Sequence, residues 1–107
     1  MEKVFNKLVR DKIPEIIISN GGKPFTRILD DEEYEKELLK KLYEEYNEVL
    51  NATGNDRIEE LADMVEVIKY LAYLENSSLE EVIEVSKEKT LKRGSFDKRI
   101  FLEKTID

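Results

Sequence analysis

The sequence predicts an all-α fold: a small antiparallel bundle of three long helices preceded by a short N-terminal helix, in a single domain over residues 1–107. Three observations predict it. Apolar side chains between Tyr34 and Leu50 and again between Leu61 and Leu71 recur at helical spacing. Asp30 with Glu33, Asp56 with Glu59 and Ser78 with Glu81 each place a capping oxygen three residues before a glutamate, the pattern of a helix start. The turn clusters Asn51-Ala52-Thr53-Gly54-Asn55 and Asn76-Ser77-Ser78 are short, so the helices they join should lie side by side and antiparallel.

The first helix is expected from Arg10 to Ser19, with Ile13, Ile16 and Ile17 on one side. Asn20-Gly21-Gly22 ends it, because Gly and Asn tolerate a left-handed cap. Lys23 to Leu29 alternates Phe25, Arg27 and Leu29 and reads as a short strand, with Arg99–Leu102 as a partner. The first long helix should run from Asp30 to Leu50 or Ala52, the second from Asp56 to Leu74, and the third from Ser78 to Leu91. Gly94-Ser95 stops the last. Tyr34, Tyr43, Tyr46, Tyr70 and Tyr73 leave aromatic surface for which self-association, as a homodimer or homotetramer, is expected.

Composition restricts the chemistry. The chain has no cysteine and no histidine, which excludes disulfides, zinc fingers and Ser-His or Cys-His nucleophiles. Acid–base or metal chemistry must use carboxylates, lysines, tyrosines or metal-bound water. No apolar run approaches the roughly 20 residues of a membrane span, so no membrane partner is expected. The opening MEKVFNKLVR is charged and has no apolar h-region, so a soluble cytoplasmic protein is the expectation. Net charge is −7, unevenly spread: residues 1–29 sum to +3, residues 30–86 to −13 and residues 87–106 to +4. A nucleic-acid-binding chain would be basic overall. None is expected as a partner here.

Two helices carry carboxylates among their apolar residues. On a wheel at 100° per residue with Glu60 at zero, Val67, Leu71 and Met64 fall within about 40° of it, followed by Ile68, Leu61 and Val65. Glu60 therefore lies in the apolar stripe and Asp63, one turn on, at its edge. Glu59 and Glu66 occupy the opposite face. On the preceding helix Glu45 falls within the apolar arc of Leu38, Leu42, Tyr46 and Val49, Glu48 just outside it, and Glu44 points further away. Ionised carboxylates crowded at the edge of a core are costly through desolvation and mutual repulsion. A divalent cation offsets that cost, and oxygen donors on facing helices suit Mg²⁺ or Mn²⁺. An interhelical salt-bridge network using Lys40, Lys41 or Arg57 is the competing explanation.

The basic residues group at the two ends. Lys89 and Arg93 lie one turn apart before Gly94-Ser95-Phe96, and Lys7, Arg10 and Lys12 precede Pro14. Either group suits phosphate, since Arg donates two parallel hydrogen bonds. Lys87, Lys89 and Lys92 equally suit a helix C-terminus, where a positive charge meets the dipole.

These residues resemble a known family. Glu44-Glu45-Tyr46-Asn47-Glu48 followed by Glu60-Leu61-Ala62-Asp63 resembles the EExxE…ExxD signature of the MazG-like all-α nucleoside triphosphate pyrophosphohydrolases, a superfamily that includes phosphoribosyl-ATP pyrophosphohydrolases. Asn6-Lys7-Leu8-Val9-Arg10-Asp11-Lys12-Ile13-Pro14 and Arg93-Gly94-Ser95-Phe96 resemble a small-protein branch of it. The resemblance implies Mg²⁺ dependence and cleavage of a nucleoside triphosphate to monophosphate and pyrophosphate. It implies Glu45, Glu48, Glu60 and Asp63 as metal ligands, with Glu44 and Glu45 serving catalysis. Lys89, Arg93, Arg10 and Lys12 are the candidates for holding phosphate. The interval from Glu48 to Glu60 is short for the family. Phosphoribosyl-ATP as the substrate and a non-catalytic helical module that binds a protein partner are the alternatives.

Overall fold

Asp30 and Ser78 act as the sequence predicts. In the computed structural model, which describes residues 1–107, the Asp30 carboxylate accepts the Glu33 N–H at 2.8 Å and the Ser78 hydroxyl accepts the Glu81 N–H at 3.1 Å. Each satisfies a donor that the first helical turn leaves without a partner. They open two of four helices: α1 (Ile13–Ser19), α2 (Asp31–Leu50), α3 (Gly54–Leu74) and α4 (Leu79–Arg93). The chain is all-helical, as expected.

Both starts that differ have local causes. α1 begins at Ile13 rather than Arg10, because Pro14 suits only the first turn of a helix, and Arg10 to Ile13 forms a turn closed by the Ile13 N–H on the Arg10 carbonyl at 3.0 Å. α3 begins at Gly54, two residues before Asp56; Thr53 takes the cap position without a side-chain hydrogen bond. Asp56 sits inside the first turn, where its charge meets the positive end of the dipole.

Two helices close with the same device. After α1, the Gly22 N–H reaches the Ile17 carbonyl at 2.9 Å and the Gly21 N–H the Ile18 carbonyl at 3.0 Å, with Gly21 at φ 87°. After α3, Ser77 donates to Ala72 at 2.9 Å and Asn76 to Tyr73 at 3.0 Å, with Asn76 at φ 56°. Asn tolerates that conformation better than other side chains, and a β-branched residue does not. Asn76→Val is expected to lower stability by about 1–2 kcal/mol and Asn76→Gly to leave it unchanged or slightly raised, read from thermal melts.

The expected strand pairing is absent. Lys23–Leu29 and Arg99–Leu102 carry no ladder of backbone hydrogen bonds, and no strand forms anywhere in the chain. Arg99 at φ 58° breaks the extended run it was expected to open, and its N–H closes a turn on the Phe96 carbonyl at 3.2 Å.

Packing is concentrated between α2 and α3, which the Asn51–Thr53 link folds into an antiparallel hairpin. Leu38, Val67 and Ala72 are buried there, with Leu42, Val49, Met64, Ile68 and Leu71 half-buried around them. Leu61 and Val65, placed by the wheel on the same stripe, remain exposed. α4 does not complete the bundle: from Glu80 to Asp107 every residue is exposed. The molecule is accordingly elongated, 61 × 33 × 25 Å, with a radius of gyration of 18.4 Å against about 13 Å for a compact domain of this length. No helix is long and apolar enough to cross a membrane.

Candidate metal centre

The hairpin sets the C-terminal third of α2 beside the N-terminal third of α3. Glu45 follows Leu42 by three residues and precedes Val49 by four, and both neighbours are half-buried, so its side chain enters the α2–α3 seam. It is the one buried charged residue of the chain, 8% exposed. Glu60 and Asp63 reach the same seam from α3 and are half-buried. One carboxylate oxygen from each of Glu45, Glu60 and Asp63 lies within 4.8 Å of the others.

Glu48 does not join this group. It is exposed on α2, as its place just outside the apolar arc permits. The structure thus brings together three of the four expected ligands. Glu44 is half-buried next to them and shares Lys41 with Glu45: the Lys41 ammonium stands 3.4 Å from the Glu44 carboxylate and 3.7 Å from that of Glu45.

Arg10 arrives from the segment before α1. Its guanidinium donates to Asp63 Oδ1 at 2.9 Å and to Glu66 Oε2 at 3.2 Å. Glu66, assigned by the wheel to the solvent face, is half-buried and belongs to this network, and Lys69 stands 4.0 Å from its other oxygen. Only its spacing, three residues beyond Asp63, marks it in the sequence. Lys40 makes no ion pair, and Arg57 donates its Nε–H to the Ala52 carbonyl at 2.8 Å, steadying the hairpin link. Lys12 precedes the first turn of α1 and is exposed. Lys89 lines a shallow dent on α4 with Ser77, Glu81, Val82, Val85 and Ser86. Neither Lys89 nor Arg93 is ion-paired with the carboxylates, and both are exposed.

The charges around the seam do not cancel. Arg10, Lys41 and Lys69 face Glu44, Glu45, Glu60, Asp63 and Glu66, and Glu60 has no cationic partner. Burial holds the Glu45 carboxyl above the usual carboxylate range; the Asp63 charge and the Glu60 carboxylate push it the same way and Lys41 opposes them. A hard divalent cation fits this donor set. Oxygens bound to one Mg²⁺ stand about 3 Å apart when adjacent and about 4.2 Å when opposite, so three donors lying within 4.8 Å of one another would have to draw inward to close on an ion. Arg10 competes for Asp63. Arg10→Gln is therefore expected to tighten Mn²⁺ or Mg²⁺ binding about two- to fivefold, the range of an exposed ion pair, in a calorimetric titration. The tyrosines near the hairpin pair with one another: Tyr43 and Tyr46 at 6.3 Å between ring centres, Tyr70 and Tyr73 edge to face at 5.1 Å.

A curated relative, an uncharacterized protein of Mycolicibacterium smegmatis, is 46% identical over 50 residues, which cover 47% of this chain and 51% of the relative. The chain thus spans about half the length of the relative it matches. No family model matches the sequence, and no solved structure is significantly similar to it.

Proposed function

We propose that the chain is a Mg²⁺-dependent nucleoside triphosphate pyrophosphohydrolase that cleaves the α–β phosphoanhydride to yield a nucleoside monophosphate and pyrophosphate. The observation that carries the reading is the meeting of Glu45, Glu60 and Asp63 from two helices, with Glu60 lacking any cation of the chain's own. The MazG-like resemblance of the same residues supports it.

Glu45, Glu60 and Asp63 would hold the divalent ion, which would supply positive charge against the phosphate oxygens. Glu44, beside the seam and exposed enough to meet water, orients a water molecule and accepts its proton. The water oxygen bonds to phosphorus while the bond from phosphorus to the bridging oxygen breaks, and that oxygen leaves with its electron pair. Arg10 is near enough to exchange Asp63 for a phosphate oxygen, and its paired N–H donors suit that acceptor. Lys12, Lys89 and Arg93 are further cations for the polyphosphate, and the exposed Tyr46 or Tyr70 is a stacking surface for the base. Clearing unwanted nucleotides from the cellular pool is the role this activity fits.

The test is a panel of common and damaged nucleoside triphosphates, with phosphoribosyl-ATP alongside, assayed with Mg²⁺ for pyrophosphate. Pyrophosphate and monophosphate are the expected products. Orthophosphate in their place, or no turnover across the panel, overturns the reading, and turnover of phosphoribosyl-ATP alone moves it to histidine synthesis. The ion pairs of Lys41 and Arg10 favour one rival, a non-catalytic helical module whose carboxylates are structural. That rival predicts no Mg²⁺-dependent rise in melting temperature.

A further inference from the structure

We infer that Glu66 is a positioning residue for Arg10: it keeps that guanidinium beside the carboxylate seam once Asp63 is given up to a cation, and so presents Arg10 to the pyrophosphate part of the substrate. The inference rests on the function proposed above and extends it to a residue outside the carboxylate triplet.

Asp63 and Glu66 lie three residues apart on α3, which makes them neighbours on the helix surface. Arg10 spans the pair with one terminal nitrogen for each. Its Nη2 donates to Asp63 Oδ1 at 2.9 Å and its Nη1 to Glu66 Oε2 at 3.2 Å. Either contact can therefore break while the other persists. The two carboxylates differ in their surroundings. Asp63 shares the seam with Glu45 and Glu60, each offering an oxygen within 4.8 Å of the others, whereas Glu66 stands outside that group. Its second oxygen, Oε1, is 4.0 Å from the Lys69 ammonium. Glu66 serves the chain's own cations, and Asp63 faces the seam.

A divalent ion and a guanidinium compete for Asp63, and two positive charges a few ångströms apart repel. The Asp63 contact is the one that yields. The Glu66 contact then decides where Arg10 goes, because little else holds the segment that carries it. Arg10 is the one side chain of residues 1–22 hydrogen-bonded to the α2–α3 hairpin. The segment's other hydrogen bonds are local, such as Ser19 Oγ to the Ile16 carbonyl at 2.9 Å. α1 brings no Cα within 8 Å of another helix. With Glu66 in place, Nη1 stays anchored, and Nη2, released from Asp63, turns its N–H donors to a phosphate oxygen. Without Glu66, Arg10 drifts from the seam together with its segment. A salt bridge that only stiffens the fold would not distinguish the free protein from the loaded one.

The test uses the full chain in a calorimetric titration, first with Mg²⁺ alone and then, at saturating Mg²⁺, with imidodiphosphate, a non-hydrolysable mimic of pyrophosphate. Glu66→Gln is expected to weaken imidodiphosphate binding about three- to fivefold, the range of a partly exposed ion pair. Arg10→Gln should weaken it at least as much, although it tightens Mg²⁺ itself. The double variant should lose no more than Arg10→Gln alone, since Glu66 acts through Arg10. Hydrogen exchange supplies a second readout. In the unaltered chain the α1 amides should exchange at rates within about threefold of each other with and without Mg²⁺, and in Glu66→Gln Mg²⁺ should speed them about tenfold. Additive losses in the double variant overturn the inference, as does unchanged imidodiphosphate binding in Glu66→Gln. So do α1 amides of the unaltered chain that Mg²⁺ frees, or that are unprotected from the outset. A chain that does not bind Mg²⁺ overturns the proposed function and this inference with it; Mg²⁺ binding without an effect of Glu66→Gln overturns the positioning role alone. If Glu66→Gln does not fold, the exchange of the unaltered chain decides.

Discussion

Glu60→Gln is expected to abolish pyrophosphate release while leaving the helical content unchanged. Gln preserves shape and hydrogen-bonding capacity and removes only the charge. At Glu60 that charge has no lysine or arginine to answer it, so a bound cation is the group that would lose a ligand. Weakening a metal's hold on a polyphosphate transition state by about 4 kcal/mol corresponds to roughly a thousandfold in rate. A steady-state pyrophosphate assay across a Mg²⁺ titration measures it. The variant should show a kcat near background at every Mg²⁺ concentration; recovery at high Mg²⁺ would reassign Glu60 to binding alone. Activity equal to that of the unaltered chain would remove the metal from the mechanism. Glu59→Gln, one residue earlier on the exposed face, serves as the control.

The helices were legible wherever the cap chemistry is carried by a side chain. Asp30 and Ser78 announce α2 and α4 because the oxygen that accepts the N–H is written in the sequence. α3 begins earlier than Asp56 because Thr53 fills the cap position through its backbone conformation, with no side-chain hydrogen bond. The strands failed for a related reason: alternation at Phe25, Arg27 and Leu29 describes an extended segment, whereas a strand needs a partner's backbone, and Arg99 turns the proposed partner aside.

At the site, periodicity found the residues whose own helix dictates their direction. Glu45 and Glu60 stood among apolar neighbours, and both face the seam. Glu48 lay at the margin of its arc, where a few tens of degrees of rotation decide between seam and solvent, and the helix places it in solvent. The Arg10 contacts with Asp63 and Glu66 span 53 and 56 residues. They depend on how the first segment crosses α3, which no local pattern encodes. The wheel also counted Leu61 and Val65 as core, since it registers an apolar face without saying whether the same molecule covers it.

Glu45→Gln is expected to stabilise the metal-free protein and to make it insensitive to Mg²⁺. Burial, then the Asp63 charge, holds the Glu45 carboxyl above its unfolded value. Between the unfolded and folded values the native state binds more protons than the unfolded chain, so stability falls as pH rises through that window. Below it the cost is absent; above it the cost is present in full. An uncharged isostere removes it, so a gain in stability at pH 7 that shrinks as the pH falls is expected. In the unaltered chain, Mg²⁺ at ten times its dissociation constant adds about 1.4 kcal/mol, or several degrees in melting temperature; in Glu45→Gln it adds nothing. Thermal melts of both proteins at two pH values, with and without Mg²⁺, measure all four effects. The opposite result, a variant less stable at pH 7 without metal, would mean that the 3.7 Å contact with Lys41 outweighs the desolvation of Glu45. The seam would then be an ion-pair network that holds two helices together, with no strain for a cation to relieve.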